Sequence, residues 1–326
     1  MAALEIGGYL GLEDFGGRPY HEGTIALDSA RSCLAYLIEL RGIRSIALPD
    51  LMCSAVPAAC DRAGCAHRAY RVGADFLPVY DFELAEGEWL YLADYYGTLT
   101  VEAVDAAVGF AGGRVVVDEV QGFFGEPWAG ADTIYTCRKF FGVPDGAYLA
   151  TRDGARLSRE LSACRSAARM AHVLGRVEDG GSAHYAEYSA AEEGIGESGP
   201  EAMSEVTRRL MSGMDYARVK ETRERNFAAL AELLGQRNLL NPGSPEGPYM
   251  YPFLVKGAGD ARKRLASRGM YVPTLWPNVL SECAEGSVAR RYAEDILPLP
   301  VDQRYGVDDM RVLAGAVLAE TGLSRG

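Results

Sequence analysis

The sequence predicts an α/β protein whose mainly parallel sheet is flanked by helices and followed by a smaller C-terminal α+β domain. Short apolar segments alternate with helix-like segments between residues 24 and 151, which is typical of parallel strands joined by helices. The segment Arg114–Asp118 is apolar up to its final carboxylate, as in a strand covered on both faces. The rhythm changes after Asn241-Pro242-Gly243. We expect a large domain over residues 1–215 and a small domain with its linking helix over 216–326.

The predicted strands of the large domain are short β-branched or apolar segments. They are Thr24–Leu27, Ser45–Leu48, His67–Val72, Trp89–Ala93, Arg114–Asp118, Asp132–Cys137 and Ala147–Thr151. Small polar residues favour helix starts and glycine favours helix ends. On that basis, helices are expected from Ser29 to Gly42, from Ser54 to Gly64 and from Val101 to Gly112.

The rest of the chain is predicted to contain more helix than strand. A helix is expected over Leu157–Leu174 and a longer one over about Glu201–Leu234. Residues 175–200 are rich in Gly, Glu and Ser, so we expect a loop there and consider it our candidate for closing over a site. The remaining predictions are the strands Tyr249–Val255 and Tyr271–Leu275 and the helices Asp260–Arg268, Val288–Asp295 and Val307–Glu320.

Composition and charge exclude several classes of protein. The 326 residues are 48% hydrophobic and 24% charged, which is ordinary for a globular protein and excludes a disordered chain. A net charge of -12 repels phosphate backbones, so we expect no nucleic-acid partner. No apolar segment approaches the roughly 20 residues that span a bilayer, and the first residues lack the pattern of a signal peptide. We expect a cytoplasmic protein with no membrane partner.

The cysteines and histidines predict no metal site. The seven cysteines are scattered and odd in number, as in a protein of a reducing compartment. Cys60 and Cys65 precede His67 at a spacing that fits no standard zinc pattern, and a fourth ligand is not evident.

Lysine is scarce, so its possible chemistry is easy to place. The four lysines among 33 basic residues are Lys139, Lys220, Lys256 and Lys263. Arginine cannot replace lysine in a Schiff base. Lys139 follows a predicted strand and precedes two phenylalanines, and an apolar wall favours the neutral, nucleophilic form of an amine. The alternative is a surface lysine at a strand end.

Asp118 ends a buried strand, where a carboxylate needs a cation or hydrogen-bond donors. A protonated pyridine nitrogen is one such partner. Gln121 follows three residues later and could reach a phenolic oxygen on the same ring. The alternative is an aspartate that only caps the next turn.

Small residues open a helix directly after the first predicted strand, at Asp28-Ser29-Ala30-Arg31. Free N–H groups at such a helix start bind phosphate, and Arg31 could add charge and Thr136 a hydroxyl. Simple helix capping is the alternative. Together with Lys139 and Asp118, this segment points to pyridoxal phosphate, which needs an imine lysine, an anion at its ring nitrogen and a phosphate cup.

The same segments resemble the DegT/StrS family of sugar aminotransferases, a branch of the fold-type I pyridoxal-phosphate enzymes. The segments that carry the resemblance are, in order, ALDSARSCLAYLIELRGIRSIALPDLMCSAV, YLADYYG, VVVDEVQGFFG, YTCRKFFGVPDGAYL and ILPLPVDQRYGVDDMRVLAGAVL. The resemblance implies a fold-type I large domain, and a homodimer with its active site at the subunit interface.

The resemblance also implies residue roles. Lys139 would hold the cofactor and move the proton, and Asp118 would face the ring nitrogen. Gln121 would contact the 3-oxygen of the ring. Tyr95 or Tyr96 would line the substrate pocket.

Other matching residues would bind the phosphate and cover the ring. Ser29, Ala30 and Arg31 would bind the phosphate, with Thr136 assisting. Cys53 would lie over the ring face, where the family usually has an aromatic residue or a histidine.

The implied activity is that of a pyridoxal-phosphate-dependent aminotransferase. It would move an amino group from an amino-acid donor to a keto acceptor, such as a nucleotide-linked sugar. Thr136 in place of the usual serine and Gly146-Ala147 in place of Gly-Gly leave that acceptor open. The alternatives are elimination, replacement or racemisation on a small amino acid, or a non-catalytic partner protein with this fold.

Overall fold

The large sheet has seven strands, of which all but one run in the same direction. The computed structural model describes residues 6–196 and 199–323. The strands are β1 (Ile25–Leu27), β2 (Ser45–Pro49), β3 (Ala66–Tyr70), β4 (Trp89–Ala93), β5 (Val115–Asp118), β6 (Asp132–Thr136) and β7 (Ala147–Ala150). Their order across the sheet is β3-β2-β4-β5-β6-β7-β1, and β7 is antiparallel to both neighbours. The predicted fold class is confirmed, and the carboxyl ends of the parallel strands share one edge.

Three helices connect the first strands: α1 (Ala30–Arg41), α2 (Ala55–Arg62) and α3 (Val101–Phe110). The predicted start and end of α1 are confirmed. Ser29 Oγ accepts a hydrogen bond from the Ser32 N–H (3.2 Å). Gly42 ends the helix with a φ of 63°, a left-handed conformation that favours glycine.

The C-terminal part of the chain builds a second, smaller sheet. Its strands β8 (Met250–Leu254) and β9 (Ile296–Pro300) are antiparallel. The remaining helices are α4 (Ala171–Asp179), α5 (Tyr185–Glu193), α6 (Glu205–Ser212), α7 (Tyr216–Leu234), α8 (Ala258–Ser267), α9 (Val279–Glu282), α10 (Val288–Asp295) and α11 (Val307–Glu320). Helices α7, α8 and α11 share with this sheet an apolar core of their own that includes Phe227 and Leu297. The predicted boundary after residue 215 falls at the start of α7 and stays a prediction.

The segment between β7 and α7 differs most from the prediction. Residues 157–166 are irregular, so the helix expected over Leu157–Leu174 is wrong in its first half. The loop expected over 175–200 contains the end of α4 and all of α5, because the strong helix propensity of its Ala and Glu residues outweighs its glycines. Glu197 and Ser198 lie outside the described residues. The long helix expected over Glu201–Leu234 is interrupted around Gly213.

One predicted strand in the C-terminal part of the chain is wrong, and one observed strand was not predicted. Tyr271–Leu275 is irregular and forms no strand. Ile296–Pro300, which no pattern predicts as a strand, is β9. Its prolines argue against a strand, but each strand of a two-stranded sheet has a free edge, where the missing proline N–H is not needed. No helix in the described part of the chain has the length and apolar character needed to cross a bilayer.

Candidate active site

Asp118 lies buried at the carboxyl end of β5. The Tyr91 hydroxyl, from the neighbouring strand β4, donates a hydrogen bond to Asp118 Oδ2 (2.8 Å), and the Val120 N–H donates to Oδ1 (3.0 Å). Burial raises the pKa of Asp118, and the charge of Lys139 and these two donors oppose that rise. The carboxylate form is therefore favoured by its neighbours and held in one orientation.

Lys139 follows β6, which pairs in parallel with β5. Its side chain is exposed, and its Nζ lies 5.5 Å from the ring centroid of Tyr249. The charge of Lys139 acts on Asp118, where it lowers the pKa of the carboxyl. The structure therefore brings the predicted lysine and the predicted carboxylate to the same edge of the sheet.

The start of α1 lies at this edge as well. Leu27 of β1 and Thr136 of β6 both pair with Ala147 of the intervening β7, so the ends of β1 and β6 lie one strand apart. Ser29 and Thr136 are buried there. The first N–H groups of an α-helix have no acceptor within the helix. This corner consequently offers hydroxyl and N–H donors to a phosphate, as expected of Ser29, Ala30 and their neighbours.

Arg31 and Arg138 both contact Glu192 in α5. Arg31 Nη2 donates to the backbone carbonyl of Glu192 (3.1 Å), and Arg138 forms an ion pair with its carboxylate. A Cβ atom on Gly196 would lie 3.1 Å from Ser29 Oγ and from Arg31 Cβ, so the turn after α5 packs directly on the start of α1. The end of the predicted closing segment thus covers the candidate phosphate site.

Gln121 and the two tyrosines predicted for the pocket form one buried cluster. Gln121 Oε1 accepts a hydrogen bond from the Tyr96 N–H (2.9 Å). The Tyr95 hydroxyl donates to the Leu51 carbonyl (2.6 Å), whereas no described residue partners the buried Tyr96 hydroxyl. Trp276 packs edge-on against both tyrosine rings at centroid distances of 5.5 and 6.1 Å. Tyr96 is therefore the tyrosine with a free polar group.

Cys53 is half-buried and packs against the main core. Its charge acts on both Arg31 and Tyr91, so it belongs to the same region of the protein as these two residues. This position is compatible with a residue over a bound ring, and that role stays a prediction.

Sequence reasoning misses four residues of this edge: Tyr91, Arg138, Glu192 and Tyr249. Tyr91 could have been found, because it stands two residues before Ala93, which pairs with Asp118, and alternate residues of a strand share a face. Arg138 directly precedes the lysine. The other two come from distant segments and carry no motif of their own.

Two further carboxyl groups, Asp94 and Glu119, are buried next to Asp118: Glu119 follows it in the chain, and Asp94 follows Ala93, its partner in β4. Asp94 Oδ1 accepts from the N–H groups of Thr98 (2.7 Å) and Leu99 (2.9 Å), and the Trp128 indole donates to Glu119. Burial and the neighbouring carboxyl raise the pKa of Glu119 well above its ordinary value. Both carboxyls line an acidic cleft of about 510 Å³.

One group of potential metal ligands is present within the described ranges. Oxygens of Asp28 and Glu201 and the sulfur of Cys164 lie within 4.8 Å of one another. Arg169 Nη1 lies 3.7 Å from that sulfur, so a cation already stands beside the thiol. The group does not include Cys60, Cys65 or His67, the residues considered as metal ligands in the sequence analysis.

The chemistry of the side chains at the edge fits pyridoxal phosphate. That cofactor needs an amine, an anion at its ring nitrogen and a phosphate site. The edge offers the amine of Lys139, a buried carboxylate that accepts two hydrogen bonds, and a helix start with nearby hydroxyls. All three come from the carboxyl ends of β1, β5 and β6.

Comparison with solved structures identifies the fold as that of sugar aminotransferases. CalS13 from Micromonospora echinospora, a sugar aminotransferase, has a TM-score of 0.63 and 14% identity over 91% of this chain and 87% of its own. DesI, solved in the presence of its TDP-sugar product, has a TM-score of 0.66 and 17% identity over 94% of this chain and 82% of its own.

A third similar structure is the PLP form of Spr1654 from Streptococcus pneumoniae, a putative sugar aminotransferase by its description. Its TM-score is 0.63 and its identity 13%, over 93% of this chain and 88% of its own. No protein-family model matches the chain, and no curated protein matches its sequence. The similarity therefore shows the fold, and the chemistry must be argued from the side chains.

Proposed function

We propose that this protein is a pyridoxal-phosphate-dependent aminotransferase. It would take an amino group from an amino-acid donor and transfer it to a keto group of a biosynthetic intermediate. A nucleotide-linked keto sugar is the acceptor suggested by the structural neighbours, one of which was solved with a TDP-sugar. The observation that carries the proposal is that Lys139, after β6, and the oriented Asp118, at the end of the neighbouring parallel strand β5, lie at the same edge of the sheet, where the charge of the lysine lowers the pKa of the carboxyl.

When bound, pyridoxal phosphate supplies an aldehyde for an amine and a ring that stabilises negative charge on the substrate carbon. Lys139 Nζ is the amine that would hold the cofactor, and it would then move the proton at that carbon. Asp118 would keep a proton on the ring nitrogen, and the hydrogen bond from Tyr91 favours the ionised, oriented carboxylate that this role needs. Gln121 would contact the 3-oxygen through its Nε2, which makes no hydrogen bond to a described residue, because the Tyr96 N–H already donates to its Oε1.

The phosphate would be held at the start of α1. Ser29, Ala30 and Arg31 would supply N–H groups and charge, and Thr136 a hydroxyl. Glu192 contacts Arg31 and Arg138, and the turn after α5 packs on this corner, so this turn would limit the access of water to the phosphate.

The proposed protein works as a homodimer in the cytoplasm. Large apolar side chains in the N-terminal segment support a second copy as partner, because Ile6, Tyr9 and Leu10 are 86%, 98% and 90% exposed. Val177 of α4 and Tyr185 of α5 are also exposed. Light scattering at working concentration tests this, and a monomer would contradict it.

Absorbance spectroscopy tests the proposed chemistry. The purified protein with added pyridoxal phosphate is expected to show a band in the near-visible range that Lys139→Ala abolishes. Lys256→Ala, at an exposed lysine after β8, is the matched control and is expected to keep the band. A wild-type protein that stays colourless contradicts the proposal.

A panel of amino acids then identifies the reaction. Loss of the visible band with release of a keto acid indicates transamination. Release of ammonia, or inversion of the amino acid without a keto acid, would instead favour elimination or racemisation on the same site.

A further inference from the structure

The peptide that follows Lys139 is anchored by side chains from the C-terminal part of the chain. The Phe140 carbonyl accepts one hydrogen bond from Arg223 Nη2 of α7 (3.3 Å) and another from Gln303 Nε2, in the segment after β9 (2.7 Å). Because Phe140 is the next residue after the lysine, these two donors restrict the backbone from which the Lys139 side chain extends.

Arg223 is buried to an unusual degree for its charge, with 1% exposure. Its Nε donates to Gln303 Oε1 (2.9 Å), and its Nη1 donates to the carbonyls of Pro248 (3.0 Å) and Tyr249 (3.3 Å). Its guanidinium carbon also lies 4.6 Å from the centroid of the Phe140 ring. All these partners are neutral, and burial lowers the pKa of Arg223 to about 10.

A buried cation without an ion pair is a poor way to stabilise a core. Within the described residues, no carboxylate oxygen lies within 4.0 Å of the Arg223 guanidinium. An apolar side chain of similar volume is often as stabilising or more so in such a place. What arginine offers instead is a rigid, planar set of donors that can hold several carbonyls at fixed positions.

Two of the carbonyls that Arg223 holds belong to residues that adjoin Lys139. Phe140 directly follows Lys139 in the chain. Tyr249 presents its ring to the amine, with Lys139 Nζ 5.5 Å from the ring centroid. One guanidinium therefore connects the backbone next to Lys139 to the residue whose ring lies near its amine.

We propose that Arg223, braced by Gln303, is a positioning residue that sets the direction of the Lys139 amine toward the cofactor. This inference rests on the proposed function of Lys139. It makes α7 and the segment after β9 part of the active-site support, although neither carries a sequence motif for the cofactor.

The test compares Arg223→Lys and Gln303→Leu with Arg225→Lys. Arg225 is on the same helix and is exposed, and its polar contacts among the described residues are with Thr222 and Glu221. Pyridoxal 5'-phosphate is mixed with cofactor-free protein, and growth of the visible band and its induced circular dichroism are followed. Arg223→Lys is expected to form the band about tenfold more slowly, which corresponds to about 1.4 kcal/mol in the barrier, and with weaker induced dichroism. Arg225→Lys is expected to match the wild type.

Hydrogen exchange of the segment around Lys139 gives a measurement that needs no cofactor. Arg223→Lys and Gln303→Leu are expected to speed exchange in residues 139–142, and Arg225→Lys is not. If Arg223→Lys fails to fold, the half-buried Gln303 provides the deciding variant.

The outcomes separate this inference from the proposed function. A wild type that forms no band defeats the proposed function, and hydrogen exchange still decides whether Arg223 anchors the segment. If the wild type forms the band and both variants match Arg225→Lys in rate, dichroism and exchange, the positioning role is wrong.

Discussion

The hydroxyl of Tyr91 donates a 2.8 Å hydrogen bond to Oδ2 of Asp118, from one strand of the sheet to the next. Both residues are buried, and Asp118 is the carboxylate that the proposed cofactor requires. A hydrogen bond to a charged group contributes about 1.5–3 kcal/mol, so this tyrosine has a measurable influence on that carboxylate.

Tyr91→Phe should shift the acid limb of the activity profile to higher pH. Burial already raises the pKa of Asp118, and loss of a donor to its charged form raises it further. The ionised form is then lost at a higher pH, and cofactor affinity is expected to fall about tenfold. A pH profile and a cofactor titration measure both. Tyr70→Phe removes another buried hydroxyl, one that bonds the Tyr91 carbonyl, and should leave the acid limb unmoved.

Glu119→Gln should stabilise the protein at neutral and alkaline pH. The pKa of Glu119 is raised well above its ordinary value, so the folded state holds a proton that the unfolded state has released. Stability therefore falls as pH rises from the ordinary glutamate value of 4.5 through the raised pKa. Glutamine needs no proton, so the gain in Tm should be larger at pH 8 than at pH 5.

The control for this prediction is Glu126→Gln, an exposed carboxylate that lines the same cleft. Its Tm should follow the pH dependence of the wild type. An equal gain at both pH values for Glu119→Gln would contradict the raised pKa of Glu119.

Ser29→Ala should weaken both the fold and cofactor binding. Ser29 caps α1, and replacing such a cap by alanine costs about 1 kcal/mol of unfolding free energy. Thr100 caps α3 in the same way, with Oγ1 accepting from the Ala103 N–H (3.3 Å), far along the chain from the proposed phosphate site. Thr100→Ala should lose similar stability without loss of cofactor affinity. Equal cofactor affinities in the two variants would remove Ser29 from the phosphate site.

Glu192→Gln should speed exchange of the cofactor. Its carboxylate pairs with Arg138 and helps to hold the turn after α5 on the start of α1. Without that charge the turn opens more often, and the rate at which pyridoxal phosphate dissociates should rise several-fold. Stopped-flow exchange against an aldehyde trap measures this rate. Glu193→Gln changes the exposed neighbouring carboxylate and should behave as the wild type.

Local patterns were sufficient where one residue decides the outcome. Ser29 and Gly42 mark the ends of α1 because capping and left-handed φ depend on the residue itself. Local sequence patterns gave wrong predictions where residues that favour an element stood beside residues that disfavour it. The Ala and Glu residues of α5 outweighed nearby glycines, and the free edge of β9 accepted prolines that would disrupt a central strand.

By itself, the sequence determined the α/β class and singled out Lys139 and Asp118 as candidates, because strand and helix periods and a scarce residue type are properties of the chain. Only the tertiary structure decided which distant groups serve them. Tyr91 contacts Asp118 through strand pairing, which the alternation along β4 could have indicated. Glu192, Arg223 and Gln303 contact the residues next to Lys139 from distant segments, and such contacts leave no pattern in either stretch of sequence.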